Sequence, residues 1–209
     1  MRIRSEADLR RILPPPREST RAKVLGALDD QAIAFLATCP FALLGTTSPD
    51  GAIEVSPKGD EPGFAHVEDV RTLLLPERAG NNLAFGLTNI LANGRVGLIF
   101  LKPGTGETLR VSGRAEVFDD ADLLERLGSS GKPALLAIRV HIERSYFHCA
   151  RSVVRSRLWD PASWTEKQKV SFGRIIAPRI GGDAHTADEI DARVEGAYTT
   201  NLWTNEGRN

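Results

Sequence analysis

The sequence predicts a mainly β fold with flanking helices. Between residues 41 and 142, short apolar or alternating segments recur, and turn residues such as Pro, Asp and Gly separate them. The residues on either side instead space their apolar side chains with a helical period. We therefore expect a single domain, with N-terminal helices in 1–39, a core of strands in 40–143 and a C-terminal extension in 144–209.

Composition narrows the class of protein. The 27 Lys and Arg residues balance 27 Asp and Glu residues, which argues against a nucleic-acid partner. The first residues lack the apolar core of a signal peptide, and no apolar run reaches the length of a membrane span, so we expect a soluble cytoplasmic protein without a membrane partner. Cys39 and Cys149 are the only cysteines and have no metal-ligand spacing, so we expect free thiols and no metal site.

Three short helices are expected before the strands. Ser5 begins the first, and the prolines at 14–16 end it. Its inward side chains are expected to be Leu9, Ile12 and Leu13. Ser19 or Thr20 is expected to cap the second helix, and Asp29 or the next residue a third. The apolar positions that place the second helix are Val24, Leu25 and Leu28.

The strands and helices of the core follow in a regular order. The expected strands are 41–46, 53–58, 70–75, 95–101, 108–118 and 134–142, with helices at 83–91 and from Asp119 to Leu127. Ser48-Pro-Asp-Gly51 is a turn, because proline fixes φ and glycine accepts a positive φ. Pro57 is expected to loosen the pairing at the end of its strand. Further helices are expected around Glu166–Phe172 and Ala187–Ala197.

Several familiar site motifs are weak here. Gly104-Thr-Gly106 lacks the lysine of a P-loop and the third glycine of a dinucleotide turn, so an ordinary turn between strands is favoured. His148 and Cys149 are adjacent and point in different directions in a helix or strand, which disfavours a nucleophile pair. The four histidines are scattered. We therefore identify no catalytic acid or base.

Three segments are candidates for binding an anion. Lys58 ends a strand and precedes a glycine that permits close approach to the backbone. Arg78, Asn81 and Asn82 lie in a loop before a helix, whose first N–H groups bind anions well. Arg110 shares one face of its strand with Arg114. Each also has a simpler interpretation, as a solvated side chain or a capping residue.

Taken together, these segments resemble the flavin split barrel of the pyridoxamine 5'-phosphate oxidase superfamily. The family strand Arg-x-Val-Leu-Leu-Lys-Gly is similar to Ile53-Glu-Val-Ser-Pro-Lys-Gly59, with Ile53 in place of the family arginine. Leu75 and Pro76 stand where the family has an aromatic-Thr pair, and Asn81 and Asn82 stand where it has Arg-Lys. These departures resemble an uncharacterised subgroup rather than true pyridoxamine-phosphate oxidases.

The resemblance implies a split β-barrel of Greek-key type that binds FMN across a homodimer interface. It implies that the backbone of Val55, Ser56 and Pro57 lines the flavin ring, with Lys58 as the motif lysine. It also implies cofactor contacts from the later segments. These are Leu75, Pro76, Arg78, Asn81, Asn82, Thr108 (aligned with a family glutamine) and Arg110. Family members bring a C-terminal Trp and Arg to the other subunit's flavin, and Trp159 and Arg157 are the candidates here.

The resemblance therefore implies an FMN-dependent oxidoreductase whose flavin carries the chemistry, with a small-molecule substrate or electron donor. Two alternatives stay open from the sequence. One is a split barrel that binds another cofactor, a deazaflavin or a haem. The other is a non-catalytic module that binds flavin for storage or in a stress response.

Overall fold

The computed structural model describes residues 2–200 and 202–203. In this part of the chain the strands form a seven-stranded antiparallel sheet, ordered β2-β1-β5-β6-β7-β4-β3. The strands are β1 (Phe41–Thr47), β2 (Ile53–Gly59), β3 (His66–Asp69), β4 (Thr72–Glu77), β5 (Arg95–Leu101), β6 (Thr108–Phe118) and β7 (Leu136–His148). The helices are α1 (Glu6–Arg10), α2 (Glu18–Ala22), α3 (Asp30–Leu36), α4 (Phe85–Asn93), α5 (Ala121–Arg126), α6 (Arg151–Ser156), α7 (Phe172–Ile176) and α8 (Ala184–Thr200).

The sheet is a split β-barrel, as expected. Strands β5, β6 and β7 form a central meander, the β1–β2 hairpin joins it through β5, and the β3–β4 hairpin joins it through β7. Helix α4 connects β4 to β5 and packs on β1. Every second side chain of the meander and of β1 points into a common core, whose fully buried members include Leu44, Phe100 and Leu109. The alternating pattern seen in the sequence thus marks the inner face.

Local turn chemistry placed most of these elements correctly. β5 and β6 have the expected bounds, and Gly51 takes a φ of 89° in the turn between β1 and β2. Helix α4 starts two residues later than expected and ends at Gly94, whose φ is 69°. Asp29 and Asp120 cap α3 and α5 through their side chains. The prediction of a loosened strand end at Pro57 was wrong, because β2 is an edge strand and tolerates proline without losing its pairing to β1.

The N-terminal prediction was wrong in part. Ser5 caps α1, but the apolar side chains expected to face inward are exposed. Helix α2 begins at Glu18, so Ser19 and Thr20 lie inside it and neither is its cap. The residues expected to extend this helix are not helical. Leu25 exchanges backbone hydrogen bonds with Ser145 at 2.9 and 2.8 Å, and this tertiary pairing overrides a local helical pattern.

Strand β3 and the C-terminal part of the chain also depart from expectation. Strand β3 was not predicted, and β7 continues to His148, beyond the expected core boundary at 143. The segment before Phe172 is not helical, whereas α8 includes the predicted 187–197. Helices α7 and α8 share a small core of Ala177, Ala187 and Ile190. The tail, which comes after the sheet in the sequence, therefore has a small core of its own.

The two thiols have opposite environments. Cys149 is exposed, whereas Cys39 is buried just before β1. The Cys39 thiol donates to the carbonyl oxygens of Phe41 and Leu101, each at 3.3 Å, and burial raises its pKa. Within residues 2–200 and 202–203, the helices are too short or too polar to span a bilayer.

Candidate functional site

A cavity of about 520 Å³ lies where the end of β2 meets the end of β4 and the loop that follows it. These two strands are far apart in the sheet order, so the barrel is open here and side chains bridge the gap. The cavity is lined by Ser56, Pro57, Lys58, Gly59, Asp60, Pro76, Glu77, Arg78, Ala79, Gly80, Asn81, Leu202 and Trp203. We call this junction between the ends of β2 and β4, with the side chains that cross it, the seam.

The first connection across the seam is an ion pair. The Lys58 Nζ contacts both carboxylate oxygens of Glu77, at 2.8 and 2.6 Å. The two side chains are only 13% and 19% exposed. A pair this sheltered from water is screened less than a surface pair, so it holds the two strand ends together and fixes the lysine at the cavity wall.

The second connection centres on Asp60, whose side chain is 2% exposed. Its carboxylate accepts from the Arg78 Nε at 2.5 Å, from the Ser129 hydroxyl at 2.7 Å and from the Glu61 backbone N–H at 2.8 Å. The Trp203 indole also donates to it at 3.2 Å. Burial acts to raise the pKa of Asp60, but these hydrogen bonds outweigh it and hold the pKa below its usual value.

The Arg78 guanidinium is positioned by this network and keeps one donor unused. Its Nη2 donates to the Leu127 carbonyl oxygen at 2.7 Å, while its Nε is held by Asp60. Its Nη1 is buried and has no hydrogen-bond partner among the described residues. An unpaired buried donor on a cation is costly, so a ligand or water that accepts from Nη1 would be stabilised there.

The loop between Arg78 and α4 has an unusual backbone. Asn82 and Ala84 have φ values of 60° and 54°, a region that non-glycine residues seldom adopt. The Asn81 side chain accepts from the Leu83 N–H at 3.0 Å and so stabilises the turn. The cap of α4, Ala84, offers no side-chain hydrogen bond to the first turn. Backbone N–H groups at this helix end are suited to an anion.

A smaller polar cavity of about 90 Å³ adjoins the first and shares Asp60, Pro76 and Arg78 with it. Asp60, His66, Arg78, Leu127 and Ser129 contribute to its lining. Burial, followed by the charges of Arg126 and Arg78, lowers the pKa of His66. The imidazole is therefore held neutral over more of the pH range than a free histidine.

The structure brings together part of the predicted site. Ser56, Pro57, Lys58, Pro76, Arg78 and Asn81 all line the cavity. The Val55 side chain is exposed on the outer face of β2, and Leu75 is fully buried in the core. Asn82 lies one residue beyond the lining and contributes the positive φ that shapes the loop.

Four predicted residues lie elsewhere on the same chain. Thr108 and Arg110 are on β6, separated from β2 by two strands, and the Arg110 guanidinium lies over the Tyr146 ring. Arg157 pairs with Asp160 at 2.7 Å, and the Trp159 indole donates to the Thr105 carbonyl oxygen at 2.8 Å. Within a single chain, these residues are not part of the cavity lining.

Sequence reasoning missed Asp60, Glu77 and Trp203. Glu77 lies between the predicted Pro76 and Arg78, and Asp60 lies two positions after Lys58, so their acidic character within basic motifs was the available signal. Trp203 is 143 residues from Asp60, and no local pattern connects the two. The tryptophan at the cavity of its own chain is therefore Trp203, and Trp159 packs on the turn between β5 and β6.

A sequence profile for the family described as pyridoxamine 5'-phosphate oxidase matches residues 28–149. The matched range includes all seven strands of the described sheet, and both sides of the seam. Helices α6, α7 and α8 lie outside it. No curated protein matches the chain.

Several solved structures are similar to the sheet. HupZ from Group A Streptococcus is 18% identical, with 57% of this chain and 94% of that chain covered at a TM-score of 0.46. Rv2991 from Mycobacterium tuberculosis is 15% identical, with 72% and 95% covered at 0.46. An FMN-binding protein from Syntrophomonas wolfei is 9% identical, with 56% and 84% covered at 0.45.

Proposed function

The chain belongs to the pyridoxamine 5'-phosphate oxidase family, and on that premise we propose that it binds FMN at the seam and acts as an FMN-dependent oxidoreductase. One observation carries the proposal. Residues from the strand ending in Lys58 and from the loop containing Arg78 line the same cavity, although 20 positions separate the two residues in the sequence. Both segments belong to the part of the sequence that resembles the family.

The cavity suits a ligand with the size and charge of FMN. Its volume of about 520 Å³ lies within the range of roughly 300–1,000 Å³ that small-molecule sites occupy. Lys58 and Arg78 supply two cations to its wall, and Asn81 supplies a side-chain amide. Lys58, Arg78 and Asn81 would hold the cofactor, which would supply two-electron redox chemistry when bound.

We also propose that the chain works as a homodimer. The outer face of β2, β1 and β5 is largely apolar, with Ile53 and Val55 71% and 59% exposed. Gly45 and Gly97 pair on adjacent strands in this face, and a Cβ at Gly97 would meet no atom within 4 Å. A smooth apolar face of this kind supports a self-complementary contact between two copies.

A dimer would also give a role to the predicted residues outside the cavity. Thr108 and Arg110 lie on the outer face of β6, next to the apolar part of β5. In a two-fold arrangement such a face can supply contacts to the partner's cofactor. We propose this role for them, and for Arg157 and Trp159 on the tail, as the family resemblance implies.

The test is to identify what the purified protein binds. Mass spectrometry of the small molecule released on denaturation, together with the absorbance spectrum, separates the cofactors, because a flavin absorbs in the near-ultraviolet and blue and a haem has a Soret band. We expect FMN, and apo protein should bind added FMN at one molecule per chain. Release of a deazaflavin or haem, or failure to bind FMN, would overturn the proposal.

Catalysis needs a separate measurement. Photoreduced FMN bound to the protein is mixed with oxygen and with candidate acceptors, and its reoxidation is followed. Turnover faster than that of free reduced FMN supports an oxidoreductase. Reoxidation no faster than free FMN with every acceptor would instead support a storage or binding role.

A further inference from the structure

We propose that the Glu77 carboxylate competes with the ligand's phosphate for Lys58. This competition sets how strongly the cavity prefers a phosphorylated flavin. The inference deepens the proposed function and rests on it. Each of the two cations at the cavity wall already has a carboxylate partner on this chain, which an anion-binding site does not require.

The two ion pairs differ in how firmly their carboxylates are held. Asp60 receives hydrogen bonds from Arg78, Ser129, Trp203 and the Glu61 backbone. In the described part of the chain, hydrogen bonds to the Glu77 carboxylate come from Lys58 alone. Asp60 is therefore fixed by its surroundings, whereas Glu77 depends on the lysine. If a ligand draws Lys58 away, only one donor group has to be replaced at Glu77.

The cations differ in the same way. Arg78 lines the cavity while its Nε pairs with Asp60, and its Nη1 has no partner among the described residues, so the guanidinium keeps hydrogen-bonding capacity beyond its ion pair. Lys58 contacts both oxygens of Glu77, so a phosphate must share the ammonium with this carboxylate or displace it. Glu77 also places a negative charge on the cavity wall, 19% exposed, where a dianionic phosphate would be repelled.

Removing the charge of Glu77 should therefore tighten phosphate binding. A free Lys58 gains a charge-assisted hydrogen bond to the ligand, and the repulsion is lost. We expect E77Q to bind FMN roughly tenfold more tightly, as one such contact allows. Riboflavin is the same flavin without the phosphate, so its dissociation constant should change by less than about twofold.

The experiment measures dissociation constants for FMN and riboflavin by flavin fluorescence quenching with full-length apo wild type, E77Q and E54Q. Glu54 is exposed on β2, the strand of Lys58, outside the cavity lining, and controls for a distant change of charge. The ratio of the two constants should shift about tenfold in E77Q and stay unchanged in E54Q. In a K58Q background, adding E77Q should give a much smaller gain.

The outcomes separate the two proposals. Wild type that binds neither flavin overturns the proposed function. Wild type that binds FMN, with an unchanged ratio in E77Q, overturns this inference alone, as does a change that affects both flavins equally. If E77Q does not fold, E77D takes its place. Its shorter side chain weakens the lysine contact but keeps the charge, and it should give a smaller shift of the same sign, so no shift would also overturn the inference.

Discussion

At the residue scale, the two cations at the seam differ in the hydrogen bonds that they already make within the protein, and these bonds determine which donors remain for a ligand. Arg78 is held by Asp60 and the Leu127 carbonyl oxygen, and its buried Nη1 has no hydrogen-bond partner among the described residues. Lys58 is held by Glu77 alone among the described residues. The Arg78 guanidinium is thus fixed in place, whereas the Lys58 ammonium can move. The sequence shows two cations but does not distinguish them in this way.

Replacing either cation should weaken FMN binding. Lys58→Ala and Arg78→Ala each remove a charge-assisted contact of about 1.5–3 kcal/mol, so the dissociation constant should rise roughly 10- to 100-fold. Arg151→Ala, which removes a charge from exposed α6, is the control. Fluorescence titration with apo protein measures the constants. Unchanged FMN affinity in both variants would remove these residues from the site.

His66 should make stability depend on pH. The unfolded chain takes up a proton near pH 6.5, whereas the folded protein does so only at lower pH, because its pKa is lowered. Between those values the unfolded state binds more protons, so stability falls as the pH drops. His66→Gln should show a smaller fall in Tm between neutral pH and about pH 5 than wild type does. Equal slopes in the two proteins would contradict this.

At the scale of secondary-structure elements, the β6–β7 pair depends on one glycine. The register shifts between Ser112 and Gly113, and a Cβ at Gly113 would clash with the backbone carbonyl of His141. Gly113→Ala should therefore destabilise the protein by about 2–3 kcal/mol, since the backbone cannot move aside without breaking the ladder. Gly26→Ala adds the same methyl group at an exposed position where the nearest atoms are 3.8 and 3.9 Å away. Urea unfolding compares them, and similar losses would contradict the bulge argument.

The elements that could be predicted are those specified by nearby residues. Gly51, Gly94 and Asp120 decide a turn, a helix end and a cap through contacts of a few residues. The segment around Leu25 could not be predicted, because its structure comes from pairing with Ser145. Strand β3 has only four residues, too few for a clear alternation.

Some residues of the candidate site could also be predicted from the sequence, whereas others could not. Lys58 and Arg78 were found because a family resemblance covers their segments. Asp60 and Trp203 belong to the site through a contact that spans most of the chain, and only the folded structure brings them together. The sequence thus predicts which cations face the cavity, but not which carboxylates control them.

At the scale of the whole molecule, the apolar outer face should hold two copies together. Val55→Lys places a charge beside the Gly45 position that it pairs with, and it should weaken the dimer by about 2 kcal/mol or more, the loss typical of a central contact. Val170→Lys, at an exposed position in the tail, is the control. Sedimentation equilibrium measures both. A wild-type mass of 22.8 kDa at micromolar concentration would contradict the dimer itself.

The reactivities of the two cysteines can report how often the core of this protein opens. A thiol reagent should modify the exposed Cys149 at once, whereas Cys39 is buried and its thiol is held by two carbonyl oxygens. Cys39 can react only while its surroundings are open, so its modification rate follows the population of that open state. In a Cys149→Ser chain, the rate with and without FMN would show whether filling the seam steadies the adjoining start of β1, which pairs with the end of β2. Rapid reaction of Cys39 in the native protein would mean that the barrel opens far more often than its packing indicates.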